Sequence, residues 1–249
     1  MSGGSLVGKV AVVTGGSNGI GAASVRALAE AGACVAILYR SGEARAQALL
    51  AALPGEGHRA LAVDITDPAS VQAMAAAVRG AYGRVDVLVN SAGVTRPIPH
   101  ADLETLDEAL FDQILIANAR GPYSVIRALL ALLRAGAPAV VVNISSVAAL
   151  NGAGSNIAYG AAKAALETMS MSLARVLGPD VRVMCVAPGP VATDFVAGRG
   201  REALEKLAAV TPLKRVVEAE DVAQAVMACV LHLPASTGSR IIVDGGRML

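Results

Sequence analysis

Tryptophan is absent from this 249-residue chain, and there are only two Phe and four Tyr. Large aromatic side chains supply little of the packing, so any core must be aliphatic. Charge of one sign is missing as well. The 21 Lys and Arg offset 20 Asp and Glu to a formal net charge of +1, with no basic tract, so neither nucleic acid nor an anionic membrane surface finds an electrostatic footprint. Cysteine is scarce. Cys34, Cys185 and Cys229 are odd in number and far apart, which argues against a disulfide framework and for buried thiols. His58, His100 and His232 stand alone, without partners at metal-ligand spacing, so no metal is expected. Long hydrophobic runs are lacking too. The longest charge-free stretch, Ala135 to Ala162, is broken by Pro138, Asn143, Asn151 and several Gly and is not a membrane span. The amino-terminal residues do not join a basic segment to an apolar one, so no signal peptide is expected, and the expected location is cytoplasmic.

What the chain does have is aliphatic sequence in short, regularly spaced blocks, 54% hydrophobic overall. Met1 to Ser5 read as a short flexible start. Strands are predicted at 9–14, 33–39, 59–63, 85–90, 138–145, 181–187 and 240–243, and helices at 19–31, 43–53, 68–82, 105–134, 156–177 and 219–231. Continuous apolar strands alternating with amphipathic helices imply an α/β fold, a doubly wound seven-stranded parallel sheet with helices on both faces. Ligands of such sheets bind outside the carboxyl ends of the strands.

Two local patterns carry chemistry. Lys9-Val10-Ala11-Val12-Val13 reads as a buried strand and runs into Thr14-Gly15-Gly16-Ser17-Asn18-Gly19-Ile20-Gly21, before the helical stretch Ala22 to Ala31. Strand, glycine turn and helix start form a phosphate cradle, because glycine permits close backbone approach and the helix start offers free N–H groups. The second pattern is Tyr159 and Lys163, with Ser146 upstream at the end of an apolar run. At i and i+4 on a helix, phenol and ammonium share a face. A nearby ammonium is expected to lower the phenol pKa from about 10, and such a phenol can protonate a carbonyl oxygen or deprotonate an alcohol. The Ser146 hydroxyl can hold the same oxygen.

Over nearly its whole length the sequence resembles the classical short-chain dehydrogenase/reductases. Thr14-Gly15-x-x-x-Gly19-Ile20-Gly21 is similar to that family's cofactor signature, and Asn90-Ser91-Ala92-Gly93 to its Asn-Asn-Ala-Gly motif, with Ser91 in place of the second Asn. Asn118, Ser146, Tyr159 and Lys163 fall where the family has its catalytic tetrad. The resemblance implies one Rossmann-type domain over 1–249, with a cofactor half at about 1–150 and a catalytic and substrate half at about 140–249. It implies hydride transfer between a nicotinamide cofactor and a carbonyl or secondary alcohol. Tyr159 would be the acid/base, and Lys163 would tune it and bind the nicotinamide ribose. Asn118 would hold a relay water. The cofactor-binding set is Gly15, Ser17, Asn18, Gly19, Ile20, Tyr39, Arg40, Ser41, Asp64, Ile65, Asn90, Ala92, Gly93, Tyr159, Lys163, Pro188, Gly189, Val191 and Thr193. Pro188-Gly189-x-x-x-Thr193 resembles the segment at the nicotinamide end, and Asp64 the family's adenine contact, although Asp64 also reads as a turn or cap residue before Pro68.

The end of the second strand bears on the cofactor. NAD users carry an acid there, and this chain has Tyr39-Arg40-Ser41. With no carboxylate to repel a 2′-phosphate and a guanidinium to bind it, NADP(H) is favoured over NAD(H), the alternative being that Arg40 is a solvated turn residue. Within the family the general resemblance is to 3-oxoacyl-acyl-carrier-protein reductases, which makes a carrier-bound thioester one candidate substrate. NAD-dependent alcohol, sugar and steroid dehydrogenases share the pattern. Enoyl reductases of related fold space Tyr and Lys more widely, and a cofactor-binding sensor has no need of a tuned phenol. The polar segment 194–215, with a helical stretch at Glu202 to Ala209, reads as a lid or a plain surface excursion, and pocket walls are expected from Val147, Leu150, Asn151 and Pro190. Arg199, Arg201 and Lys206 would either meet an acidic carrier or phosphorylated thioester or form a solvated helix face with Glu202 and Glu205. The family's helix pairing implies a homotetramer, with a homodimer as the alternative.

Overall fold

The computed structural model describes residues 5–249, so Met1 to Gly4 of the expected flexible start lie outside the described residues. Seven strands form one parallel sheet in the order β3-β2-β1-β4-β5-β6-β7. They are β1 Val10–Thr14, β2 Cys34–Tyr39, β3 Arg59–Ala62, β4 Val87–Asn90, β5 Ala139–Ile144, β6 Val181–Pro188 and β7 Arg240–Val243. Every residue of β1, β4 and β5 is buried, as strands covered on both faces must be. The pairing Thr14 with Asn90 aligns the carboxyl ends of β1 and β4, where strand order reverses.

The helices are α1 Gly19–Glu30, α2 Glu43–Ala52, α3 Pro68–Tyr82, α4 Glu108–Leu115, α5 Gly121–Ala135, α6 Ala148–Asn151, α7 Ile157–Leu177, α8 Arg201–Ala208 and α9 Ala219–Leu231. Val25 and Leu28 of α1, Leu49 of α2 and Val222 and Val226 of α9 pack on one side of the sheet. Val71 and Met74 of α3, Leu129 and Leu133 of α5 and Leu177 of α7 pack on the other. Both cores are aliphatic, as the near-absence of aromatics requires.

The expected helix 105–134 is not continuous. It starts at Glu108, after Asp107 caps the Leu110 N–H, and a π-turn at Ile116–Arg120 separates α4 from α5. The cause lies in Gly121-Pro122: Pro has no N–H, so the helical ladder lacks a donor there. The short α6 was not expected. Cys185 and Cys229 are buried, whereas Cys34, at the opening of β2, is only half-buried. Among the described residues no helix is long and apolar enough to cross a membrane, and no cluster of His, Cys, Asp and Glu is arranged to hold a metal ion.

Candidate active site

One cavity of about 630 Å³ runs along the carboxyl ends of the strands. Its floor is the glycine turn. Gly15 has φ +64°, and a Cβ there would sit 2.9 Å from the Ala92 backbone. Gly21 is more constrained still, since a Cβ would fall 2.2 Å from the Gly15 carbonyl oxygen. The turn is tied down by Gly16 N–H to Leu38 O at 2.9 Å and by the Asn18 side chain, which caps α1 by accepting from Gly19 N at 2.9 Å. Thr14 Oγ1 accepts from the N–H groups of both Ser91 and Ala92 at 3.1 Å. The motif's backbone is thus held by Thr14, which explains how Ser91 can stand in its second position.

Of the expected cofactor set, Gly15, Ser17, Asn18, Gly19, Ile20, Tyr39, Arg40, Ser41, Asp64, Ile65, Ala92, Gly93, Tyr159, Lys163, Pro188, Gly189, Val191 and Thr193 line this cavity. Asn90 does not. It is buried at the end of β4 and donates to Asn143 Oδ1 at 2.9 Å, and Asn143 in turn donates to Ser170 at 2.8 Å. The Asn90 side chain therefore braces β4 against β5 and α7, which corrects its expected place on the wall. The Asn118 side chain is off the wall too. Its amide donates to Val94 O at 2.7 Å and Ile114 O at 2.9 Å, and its Oδ1 is buried without a partner beneath Gly93. Both amide hydrogens are spent holding the Gly93-Val94 segment over the π-turn, so the position of this side chain gives no support to a relay role. Asp64 lines the cavity but has its carboxylate engaged by Thr66, from N–H at 2.8 Å and Oγ1 at 2.6 Å, so the turn reading of this residue is realised.

Tyr159 stands in the first turn of α7, and its N–H is capped by Asn156 Oδ1 at 2.7 Å. Asn156 also donates to Arg96 O at 2.8 Å, which locks the start of α7 to the loop after β4. Sequence reasoning missed Asn156, although an Asn directly before an Ala-rich helix is an N-cap signal. Ser146 follows β5 and lines the cavity with Tyr159 and Lys163. The preceding Ser145 is buried and donates to Glu167 at 2.7 Å, and Glu167 pairs with Arg240 of β7 at 3.1 Å. Glu167 lies one helical turn beyond Lys163, so the strand end bearing Ser146 is bound to the helix bearing the other two groups.

The electrostatics differ from the sequence expectation. Lys163 Nζ donates to Ile144 O at 2.8 Å and lies 5.6 Å from the Tyr159 ring centroid. Burial pushes this ammonium down to about 8, while Cys185 and Glu167 hold it up. Burial pushes the Tyr159 phenol up to about 12, against the lowering effects of the Ser146 hydroxyl and the Arg199 guanidinium. The expected lowering of Tyr159 by Lys163 is thus corrected: desolvation dominates, and Lys163 is turned to the β5 carbonyl.

Residues 192–216 leave the sheet and return, closed at the base by a parallel bridge between Val191 and Val217. Phe195 of this excursion packs against Tyr159 with ring centroids 5.8 Å apart, and Asp194, Val196, Arg199 and Leu207 face the cavity. The excursion is therefore a lid over the Tyr159 end. Val147, Asn151 and Pro190 line the cavity as expected, and Leu150 does not. Arg45, not foreseen, joins Arg40 at the other end.

A family model described as enoyl-(acyl carrier protein) reductase matches residues 15–247. Carbonyl reductase family member 4 of Danio rerio is 37% identical over 242 residues, covering 97% of this chain and 98% of that protein. D-threitol dehydrogenase of Mycolicibacterium smegmatis is 38% identical over 250 residues, covering 97% and 93%. The chain belongs to the short-chain dehydrogenase/reductase family. A solved short-chain dehydrogenase from Burkholderia cenocepacia in complex with NADP superimposes with a TM-score of 0.88 at 35% identity, covering 98% of this chain and 99% of that one. Short-chain dehydrogenase/reductases are oxidoreductases of alcohol and carbonyl groups that bind a nicotinamide cofactor, and this chain is one of them. The cavity fits such a cofactor on its own evidence. The glycine turn leaves room for a phosphate at the start of α1, where Ser17, Asn18, Gly19 and Ile20 line the wall, and two guanidiniums stand past β2.

Proposed function

We propose that this protein is an NADP(H)-dependent oxidoreductase interconverting a carbonyl and a secondary alcohol, with Tyr159 as general acid and base. The observation that carries the reading is the meeting of Ser146, Tyr159 and Lys163 on one wall of a cavity whose far end carries Arg40 and Arg45. When bound, the nicotinamide supplies or accepts the hydride. The residues do the rest. Ser146 donates a hydrogen bond to the substrate oxygen as negative charge develops on it, a contact that strengthens towards the transition state. A phenol pushed up to about 12 is fully protonated at neutral pH, which suits Tyr159 to protonating that oxygen in reduction. Lys163, held by Ile144 O, keeps further N–H donors for the cavity. Asn118 and Asn90 act as braces beneath the wall.

Arg40 and Arg45 favour NADP(H), since a 2′-phosphate accepts charge-assisted bonds from guanidinium and the end of β2 carries Tyr39-Arg40-Ser41 in place of an acid that would repel it. The four-residue step from Tyr159 to Lys163 favours carbonyl over enoyl reduction, by the resemblance described above. Exposed apolar side chains on α7 and β7 lead us to propose a homotetramer as well.

The test is a fluorescence titration with NADPH and NADH. NADPH should bind more tightly, and Arg40→Ala should weaken NADPH by about tenfold or more while barely changing NADH, given about 1.5–3 kcal/mol for a hydrogen bond to a charged group. A preference for NADH would overturn the cofactor assignment. In the same assay Tyr159→Phe should bind cofactor and turn over no carbonyl substrate, and retained turnover would sink the role of Tyr159.

A further inference from the structure

The substrate end of the cavity carries two cations, Arg199 and Arg247, against the single carboxylate of Asp194. Arg199 lies half-buried in the lid, four residues past Phe195, whose ring rests against Tyr159. Arg247 comes from the carboxyl-terminal turn after β7 and lines the same cavity. Among the described residues neither side chain forms an ion pair, although the neighbouring Arg201 pairs with Glu205 at 3.2 Å and Glu218 at 2.6 Å, and Lys206 with Glu202 at 2.7 Å. The solvated-face reading therefore holds for Arg201 and Lys206 and fails for Arg199. Burial lowers the Arg199 pKa, Tyr159 raises it and Arg247 lowers it again, so the two guanidiniums feel each other and the phenol.

Arg247 is not on a loose tail. The buried Asp244 carboxylate accepts from Gly246 N at 2.8 Å and Met248 N at 2.9 Å, and Gly245 O accepts from Leu213 N at 3.1 Å. Asn151, the last residue of α6, donates to Met248 Sδ at 3.2 Å. The turn is thus fixed to both the lid base and the catalytic wall. With Arg199 half-buried and Arg247 at the exposed rim of the same cavity, two like charges repel each other when the cavity is empty and attract an anion placed between them.

We propose that Arg199 and Arg247 form an oxyanion pocket for the substrate, so that the preferred substrate carries a carboxylate or phosphoryl group besides its reacting carbonyl or alcohol; this rests on the oxidoreductase reading above. The cofactor's own phosphates have other partners, since the first turn of α1 offers its N–H groups to a pyrophosphate and Arg40 with Arg45 stands past β2 for a 2′-phosphate. Guanidinium forks match both kinds of oxyanion.

The experiment compares levulinate with its methyl ester, and dihydroxyacetone phosphate with dihydroxyacetone, by kcat/KM. It adds calorimetric titration of each anion into protein saturated with oxidised cofactor, where no turnover occurs. One charged member should exceed its neutral partner by about tenfold or more, the scale of a charge-assisted contact, and which pair shows the gain tells carboxylate from phosphoryl. The ratio should fall towards one in Arg199→Ala and in Arg247→Ala, should shrink as salt is raised, and should persist in Lys206→Ala. Equal turnover of charged and neutral members overturns the pocket and leaves the oxidoreductase reading standing. Weakened cofactor binding in Arg199→Ala with an unchanged ratio overturns it too, assigning the arginines to the cofactor. Failure of all four compounds to react or bind while NADPH binds counts against both readings.

Discussion

Tyr159 and Lys163 show how far single residues can be read. Their spacing on a helix is visible in the sequence because i and i+4 always share a face. Their protonation was not, because desolvation depends on what covers them: the lid, α6 and the end of β5 come from remote parts of the chain. Arg199 was legible as a candidate anion contact, but its conjunction with Arg247 was hidden for the same reason, the two being 48 positions apart and joined only by the closing of the sheet. Asn156 was legible and overlooked. Lys163 gives a residue-scale prediction. Its pKa falls from an ordinary 10.5 to about 8 in the folded protein, so between these values the unfolded chain binds more protons and stability rises with pH. Below about 8 the charged ammonium is buried at a cost that a neutral side chain avoids. Lys163→Met should therefore abolish turnover yet raise the melting temperature of the cofactor-free protein at pH 7, with the gap narrowing by pH 10. Calorimetry at the two pH values measures this. A lower melting temperature at pH 7 would mean that the bond to Ile144 O outweighs desolvation.

At the scale of elements, all seven strands stand within two residues of where apolar runs placed them, and those covered on both faces, β1, β4 and β5, have no polar alternation to blur their limits. The helix at 105–134 fared worse. A period of 3.6 cannot reveal one extra residue in a turn, and the clue, Gly121-Pro122, was passed over. That π-turn puts Asn118 under Gly93 and so shapes the cavity wall. The β1–turn–α1 element was fully legible, since its function is local backbone geometry, and it carries its own prediction. An added methyl in Gly21→Ala would meet the Gly15 carbonyl at 2.2 Å, a backbone atom that cannot swing aside. The turn must open, and cofactor affinity should fall by about tenfold or more, since loss of the first-turn N–H contacts removes several charge-assisted bonds. The fold should persist, as shown by an unchanged far-ultraviolet dichroism spectrum. Native affinity would mean that the turn is not where the phosphates rest.

Across the whole molecule, the strand order sends every functional segment to one edge of the sheet, which is why motifs spread from Gly15 to Thr193 meet in one cavity. Assembly is the feature that one chain's sequence conceals most, because a side chain buried by a second copy and one buried within the fold have the same composition. The exposed apolar residues narrow the choice. Met171 and Val176 lie open on α7, at 46% and 69% of full exposure, and Ile242 is open on β7, the edge strand of the sheet. Gly238, just before β7, approaches the Met171 backbone at 3.9 Å from its Cβ position, so helix and edge strand present one continuous face. An edge strand with free backbone groups beside an apolar helix is a surface that proteins normally cover. If it pairs copies of this chain, sedimentation should give four times the 25.0 kDa chain mass, and Val176→Glu with Met171→Glu should shift the protein to smaller species as charge enters the interface. Because Ser145, Glu167 and Arg240 link this face to the wall bearing Ser146, the smaller species should also turn over more slowly while each chain stays folded. A wild-type protein that sediments as a monomer at assay concentration would reject the assembly and leave the cavity chemistry untouched.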